Sequence, residues 1–169
     1  MSQRMRGVVI GLVTDVNDPE ELGRIKVSFP WMSDSNESDW ARVAVPLAGP
    51  QLGAFFQPEV GDEALVAFEL DDIRRPYILG YLWSGENKPP ETDPHIRMLQ
   101  TVSGHKLVFD DTGGSEQITV EDASGNKITM NADGITIESA GDITIKGTNV
   151  TIEASAKLAA KGNPIHLNP

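Results

Sequence analysis

Two pairs of adjacent carboxylates, Asp71-Asp72 and Asp110-Asp111, have the type and spacing that general acid–base catalysis uses. Each pair lies beside turn-forming residues, and neither has a neighbouring nucleophile or a positioned histidine. The chain contains no cysteine, which excludes thiolate catalysis, disulfides and cysteine-ligated zinc. We therefore predict that the protein is not an enzyme and that it uses no cofactor.

The histidines are the remaining residues that could bind a metal. If three chains shared one axis, His166 would supply three imidazoles around it, a possible zinc site. Strand alternation, however, turns Ile165 and Leu167 inward and His166 outward. His95 follows a proline and His105 lies beside a turn, so both are expected to be exposed. No metal site is predicted.

Basic and aromatic residues in the first half of the chain could form a binding surface for single-stranded nucleic acid or oligosaccharide. They are Arg24, Lys26, Arg42, Arg74, Arg75, Trp31, Trp40, Trp83, Phe55 and Phe56. The formal net charge of −11 argues against nucleic acid, because phosphate neutralisation dominates such binding. We expect solvated strand positions, protein contacts and core or interface packing instead, and a ligand-binding module is the alternative function.

The last third of the chain repeats a short motif in which threonine lies between two apolar residues. The first apolar residue of each copy lies at position 118, 128, 135, 143, 150, 158 or 165. The first interval is ten residues, and every later interval is seven or eight residues. Glycine, Asn, Asp and Ser separate the copies, as in tight turns. The pattern predicts short strands with two apolar side chains on one face and the threonine on the other.

Three architectures accommodate this repeat. Two coils of a single-chain β-helix would leave unpaired edges at both ends. An antiparallel meander also suits the short connections. We favour an intertwined triangular prism of three chains, in which every strand pairs with neighbouring chains. Its predicted core consists of Ile118, Val120, Ile128, Met130, Ile135, Ile137, Ile143, Ile145, Val150, Ile152, Leu158, Ile165 and Leu167.

The sequence pattern in the remainder of the chain also predicts β-structure. Strands are predicted at 6–16, 24–30, 41–46, 63–68 and 77–83, and a single helical turn near 18–22. Five short strands within this length suit a small OB-type barrel. The predicted fold class is therefore all-β, with an OB-fold barrel at 1–84, a proline-rich linker at 85–97 and a trimeric β-prism needle at 98–169.

Ordered motifs within the barrel region resemble a known family. They are DP at 18–19, LGRIKVSFPW at 22–31, WARV at 40–43, PEVGDEALVAF at 58–68 and RPYILG at 75–80. In this order they resemble the segments of phage baseplate assembly protein V and VgrG-type spike proteins. The resemblance implies an OB-fold collar, a trimeric β-prism needle and a position at the puncturing tip of a contractile tail.

The resemblance also implies partners. Because the sequence begins at the barrel, we expect a separate hub or baseplate protein to connect it to the tube. A small tip protein of the PAAR type is expected on the blunt end, at Asn163, Pro164, Ile165, His166, Leu167, Asn168 and Pro169. With no evident secretory signal, we expect synthesis in the cytoplasm and a place in a virion tail or extracellular injection particle. Contact with the target membrane is expected only during puncture.

Overall fold

A computed structural model describes residues 6–32 and 37–165 of the chain. They divide into two compact units, Met1–Pro90 and Glu91–Pro169. Both units are built from β-strands, apart from one 3₁₀ turn at Glu69–Asp71. The predicted all-β fold class is confirmed. No helix in the described residues has the length and apolar character needed to cross a membrane.

The first unit is a small barrel. Its strands are β1 (Val8–Asp15), β2 (Lys26–Ser28), β3 (Arg42–Val43), β4 (Ala48–Gly49), β5 (Leu52–Gly53), β6 (Glu63–Phe68) and β7 (Pro76–Leu82). The main sheet has the order β2-β1-β6-β7-β3. Paired backbone hydrogen bonds of 3.0 and 2.8 Å between Ile25 and Ala41 join its two edge strands. This bridge closes the sheet into a barrel and removes its free edges.

Period-2 alternation explains how the barrel core forms. In β6 the exposure alternates residue by residue, so Ala64, Val66 and Phe68 are buried. Ile25, Val27 and Ile78 are fully buried against them. The Phe29 and Phe68 rings pack with centroids 5.7 Å apart. The apolar inward positions of five short strands thus provide one continuous core.

The structure corrects two details of the predicted barrel. Residues 18–22 form a turn rather than a helical turn, because Glu21 adopts a positive φ of 55° and the Asp18 side chain accepts the Leu22 and Arg24 backbone N–H groups, which a helix would have paired with backbone carbonyls. The short β4–β5 hairpin was not predicted, since Pro50 lies at its turn and each strand has only two residues. The five predicted strands are present: the first three have shorter bounds, 63–68 has the predicted bounds and the last is shifted by one residue.

The second unit contains an antiparallel meander with the strand order β12-β11-β10-β9-β8. Its strands are β8 (Ile96–Gln100), β9 (Lys106–Asp110), β10 (Gln117–Glu121), β11 (Lys127–Asn131) and β12 (Gly134–Glu138). Consecutive strands pair in register over all five residues. Three copies of the threonine motif therefore lie on neighbouring strands of one chain.

This pairing corrects the expectation that every repeat strand pairs with another chain. Turn chemistry accounts for the difference. Asp122 Oδ1 accepts hydrogen bonds from the Ser124 and Asn126 backbone at 2.8 and 2.9 Å, and Gly125 adopts a φ of +84°. Only Ala132 and Asp133 connect β11 to β12. Such tight hairpins join strands within one chain.

The later repeats differ from the first three. Residues 139–165 form no strand within the single chain, and all of their large apolar residues are exposed. Strands at 143–145, 150–152 and 158–160 therefore stay a prediction that requires neighbouring chains. His166, Leu167, Asn168 and Pro169 lie outside the described residues.

Candidate trimer interface and barrel groove

One face of the meander is lined by apolar side chains from four adjacent strands. Register places Leu107, Val120, Ile128 and Ile137 in one row across the sheet. A parallel row contains Phe109, Ile118, Met130 and Ile135. We call these eight residues the apolar face. The sequence prediction that the two apolar positions of each motif share a face is confirmed for these three copies.

The apolar face is substantially open in the single chain. Ile118 and Ile128 are 36% and 39% exposed, whereas Ile135 and Ile137 on the outer strand are 71% and 60% exposed. A contiguous apolar surface of this kind marks an interaction site. Ile143, Ile145, Val150, Ile152, Leu158 and Ile165 extend the same apolar pattern and are all about half or more exposed.

The opposite face of the meander is polar. Thr119, Thr129 and Thr136 lie side by side in its central row. Beside them, Lys106, Glu121, Lys127 and Glu138 alternate in charge across the sheet. Opposite charges at facing positions favour this register over a slip of one residue. The meander therefore presents two chemically distinct faces.

The carboxylate pairs do not assemble into a catalytic site. Arg74 donates two hydrogen bonds to Asp72, at 3.0 and 2.7 Å, and lowers the pKa of Asp72 to about 2. Asp110 accepts the Thr112 backbone N–H at 2.9 Å, and hydrogen bonding to Thr112 lowers its pKa. Carboxylates held ionised by turn contacts are poor proton donors at neutral pH.

The described histidines make local contacts in turns. His95 Nδ1 lies 2.9 Å from Asp93 Oδ1, and His105 Nδ1 accepts the Ala123 backbone N–H at 3.2 Å. Both side chains are exposed, as predicted. Within residues 6–32 and 37–165, no group of three or more His, Cys, Asp or Glu side chains is arranged to hold a metal ion.

The barrel carries an open groove of about 780 Å³, and five of the basic and aromatic residues considered for a binding surface line it: Arg24, Trp40, Arg42, Phe55 and Phe56. Its walls come from the segment around Leu22–Arg24, from Trp40 and β3, and from the chain that follows β3 through the β4–β5 hairpin. Phe55 and Phe56 are 76% and 64% exposed on this surface. Arg42 provides a guanidinium at the groove. Neither phenylalanine ring packs in the barrel core, so of the two expected positions, core and trimer interface, only the interface stays a prediction.

Asp18 holds one rim of the groove in place. Its carboxylate accepts backbone N–H groups from Glu20, Leu22 and Arg24 and forms a two-point ion pair with the Arg24 guanidinium at 2.7 and 2.9 Å. Gly23 adopts a φ of +69°, and a side chain there would approach the Phe55 ring. Hydrogen bonding to Arg24 holds the pKa of Asp18 well below its usual range. The DP…LGR motif therefore stabilises the turn at residues 18–24.

Replacing Asp18 with Asn should lower the melting temperature of the barrel at pH 7, because Arg24 loses its buried charged partner and keeps the exposed Glu20. The pKa of Asp18 is depressed in the folded state, so its contribution to the free energy of unfolding is present at neutral pH. That contribution is lost as the pH falls below the ordinary Asp range. The difference in melting temperature between the variant and the parent should accordingly shrink in strong acid.

Tryptophan fluorescence suits this measurement because all three tryptophans lie in the barrel unit. Glu20→Gln is the matched control, since Glu20 also contacts Arg24, at 3.1 Å, but is 65% exposed. The control should melt close to the parent. Equal melting temperatures of the Asp18 and Glu20 variants at pH 7 would contradict a stabilising role of the Asp18–Arg24 ion pair.

The sequence matches the models of two known protein domains. Residues 9–83 match the model of the type VI secretion system/phage-baseplate injector OB domain. Residues 96–157 match the phage baseplate V C-terminal trimerisation domain. An OB barrel followed by a trimerisation domain defines a class of structural injector proteins, and the open apolar face lies within the segment matched to trimerisation.

Curated relatives agree with this class. The type VI secretion system spike protein VgrG3 of Vibrio cholerae is 39% identical over 111 residues, which cover 59% of this chain and 11% of the relative. The actin cross-linking toxin VgrG1 of Vibrio cholerae is 37% identical over 59% of this chain and 10% of the relative. The spike protein VgrG5 of Pseudomonas aeruginosa is 31% identical over 71% of this chain and 15% of the relative.

The chain belongs to the phage baseplate V and VgrG-type spike family. It spans between about a tenth and a seventh of the length of these relatives. Its family supports a structural role as part of a trimeric spike in a baseplate or injection particle, and the trimerisation domain supports a homotrimer.

Proposed function

We propose that three copies of this chain assemble into a rigid spike at the tip of a contractile tail or injection machine, and that the spike pierces the target envelope. The observation that carries this proposal is the apolar face of the meander, together with its continuation through the exposed repeats of 143–165. Three such surfaces can cover one another around a common axis.

The proposed trimer core consists of the apolar positions of the repeat. They are Ile118, Val120, Ile128, Met130, Ile135, Ile137, Ile143, Ile145, Val150, Ile152, Leu158, Ile165 and Leu167. In this arrangement the meander supplies strands that are paired within each chain, and the later repeats pair between chains. The threonines lie on the opposite side of each strand, away from the axis, where β-branched residues suit the strand conformation.

This arrangement suits a part that transmits force. A contracting sheath drives the tube forward, and the needle concentrates that force on a small area of envelope. In the later repeats, strands paired between three chains leave no free lateral edge. Local opening then requires the separation of three chains, so the shaft resists bending and unfolding. No catalytic step is required for this role.

The spike requires a partner at each end. A hub or baseplate protein binds at the barrel end and connects the spike to the tube. A PAAR-type tip protein docks at residues 163–169, where the half-exposed Ile165 follows Asn163 and Pro164. In this proposal the particle is a virion tail or an extracellular injection particle.

The mass of the intact protein under native conditions tests the proposal most directly. We expect a species of about 55 kDa, three times the chain mass of 18.3 kDa. The apolar face and the exposed repeats are then covered in the assembly. A monomer whose tryptophan fluorescence responds to an oligosaccharide or single-stranded DNA would instead support a ligand-binding module.

A further inference from the structure

The barrel has two surfaces on which large apolar side chains are exposed. The first is the groove, where Leu47, Leu52, Phe55 and Phe56 are each more than half exposed and Arg42 stands among them. Large exposed aromatic side chains around an arginine are typical of protein interfaces. This surface is chemically suited to an apolar partner that also carries a carboxylate.

The second surface is the outer side of β1 and β6. Because Gly11, Val13, Ala64 and Val66 face the core, the alternate residues of both strands face outward. Register pairs Val8 with Ala67, Ile10 with Leu65 and Leu12 with Glu63. We call these six residues the β1–β6 face. Val8 and Ile10 are 54% and 46% exposed.

The two surfaces carry opposite charges. Arg42 and Glu63 take part in none of the ion pairs found among residues 6–32 and 37–165. Arg24, the other arginine at the groove, is already paired with Asp18 at 2.7 Å. Arg42 is therefore available at the apolar groove, and Glu63 is available at the apolar β1–β6 face.

Arg42 and Glu63 of one chain cannot reach each other. The strand order places β3 two strand spacings from β6, with β7 between them. Arg42 pairs with Tyr77 and Glu63 pairs with Leu82, five residues further along β7. Strand spacing and rise per residue then separate their Cα atoms by roughly 15–20 Å. An ion pair between these residues must join two chains.

We propose that the barrels of the trimer contact one another side by side, with the β1–β6 face of one copy seated on the groove of the next and Glu63 paired with Arg42 across the contact. The occupant of the groove is thus a second copy of this chain. This inference rests on the trimer of the proposed function and adds a second interface to it.

Three-fold symmetry supports this arrangement. Each chain in a closed ring of three must offer two different and complementary surfaces, since every contact is heterologous. The barrel has two such surfaces on different strands. The trimerisation domain begins at residue 96, only 13 residues after the matched OB domain ends at residue 83. Such short tethering raises the effective concentration of the barrels for one another.

Cysteine cross-linking of the full chain tests the contact. The protein has no cysteine, so an Arg42→Cys/Glu63→Cys variant contains only the introduced pair. Within one chain these positions exceed the Cα separation that a disulfide or a short bismaleimide linker can bridge. We expect the double variant to yield covalent two-chain and three-chain species on a non-reducing gel, with the three-chain species predominating after full reaction.

Three control variants test whether the cross-link is specific to positions 42 and 63. Arg42→Cys alone and Glu63→Cys alone should remain single chains on the gel, because a heterologous contact does not bring identical residues together. Arg74→Cys/Glu63→Cys keeps one cysteine and moves the other to the β6–β7 loop, outside the groove. Cross-linking of that control as strongly as the test pair would overturn the proposed contact.

Charge reversal provides a second measurement that needs no cross-link. Glu63→Arg and Arg42→Glu should each lower the melting temperature of the barrel within the trimer, and the combined exchange should restore most of the loss. Failure of the exchange to restore it would contradict the ion pair.

The mass of the protein under native conditions distinguishes a failure of this inference from a failure of the proposed function. A three-chain mass without specific cross-linking overturns the barrel contact and leaves the spike proposal intact. A single-chain mass overturns both.

Discussion

Ile145→Asp should prevent assembly of the trimer and leave a single chain in solution. Ile145 lies at a predicted inward position of the repeat, and its side chain is 70% exposed in the single chain. In the proposed prism, three copies of the new carboxylate would meet at the axis without a counter-ion. Burying an unpaired charge has a cost on the order of several kcal/mol for each ion. Native mass and light scattering would show the loss of the 55 kDa species, three times 18.3 kDa.

Thr144→Asp is the matched control for this prediction. It introduces the same charge one residue earlier, on the opposite side of the same predicted strand. We expect its trimers to form as in the parent, because an outward carboxylate stays in water. Tryptophan fluorescence should show a folded barrel in both variants. Normal trimers from Ile145→Asp, or equal loss in both variants, would show that the proposed inward and outward assignment is wrong.

Removal of residues 163–169 should abolish binding of the tip protein while leaving the trimer intact. The removed segment contains all seven proposed docking residues but only two of the thirteen proposed core positions, Ile165 and Leu167. The remaining layers bury the same apolar side chains as before, so the assembly should keep its three-chain mass. Pull-down of a PAAR-type protein by the tagged spike measures the binding, and we expect signal at background level.

A shaft variant, Lys157→Gln, serves as the control for the truncation because it changes an exposed charge and keeps residues 163–169. It should retain the tip protein fully. Retention of the tip protein by the truncated spike would refute docking at this segment. Loss of both the tip protein and the three-chain mass would place residues 163–169 in the trimer core instead.

Strand positions in the barrel could be predicted because they follow from local composition. The segment Glu63–Phe68 is a strand with the predicted bounds, since it is a short apolar run that begins directly after Gly61 and Asp62. The three motif copies at 118–120, 128–130 and 135–137 also form strands whose apolar residues share one face. Each of these features depends on residues that are close together in the chain.

The pairing of the repeat strands could not be predicted in the same way. A spacing of seven residues separates Ile128 from Ile135, which lie on a hairpin within one chain, and also separates Ile143 from Val150, which do not. The repeat is compatible with both arrangements. Turn residues such as Asp122 and Gly125 decide whether two strands pair within one chain. The choice also depends on which strand edges are still free to pair.

The sequence alone therefore determined the all-β class, the place of most strands and the division of the repeat into an apolar and a polar side, because these depend on alternation along the chain. The tertiary structure alone decided that β8–β12 pair within one chain and that Phe55 and Phe56 surround a groove rather than fill the core. It also placed Arg42 and Glu63 on different strands of the barrel. The physical reason is that hydrogen-bonded pairing and burial join residues far apart in the chain, and no local pattern records which distant residues meet.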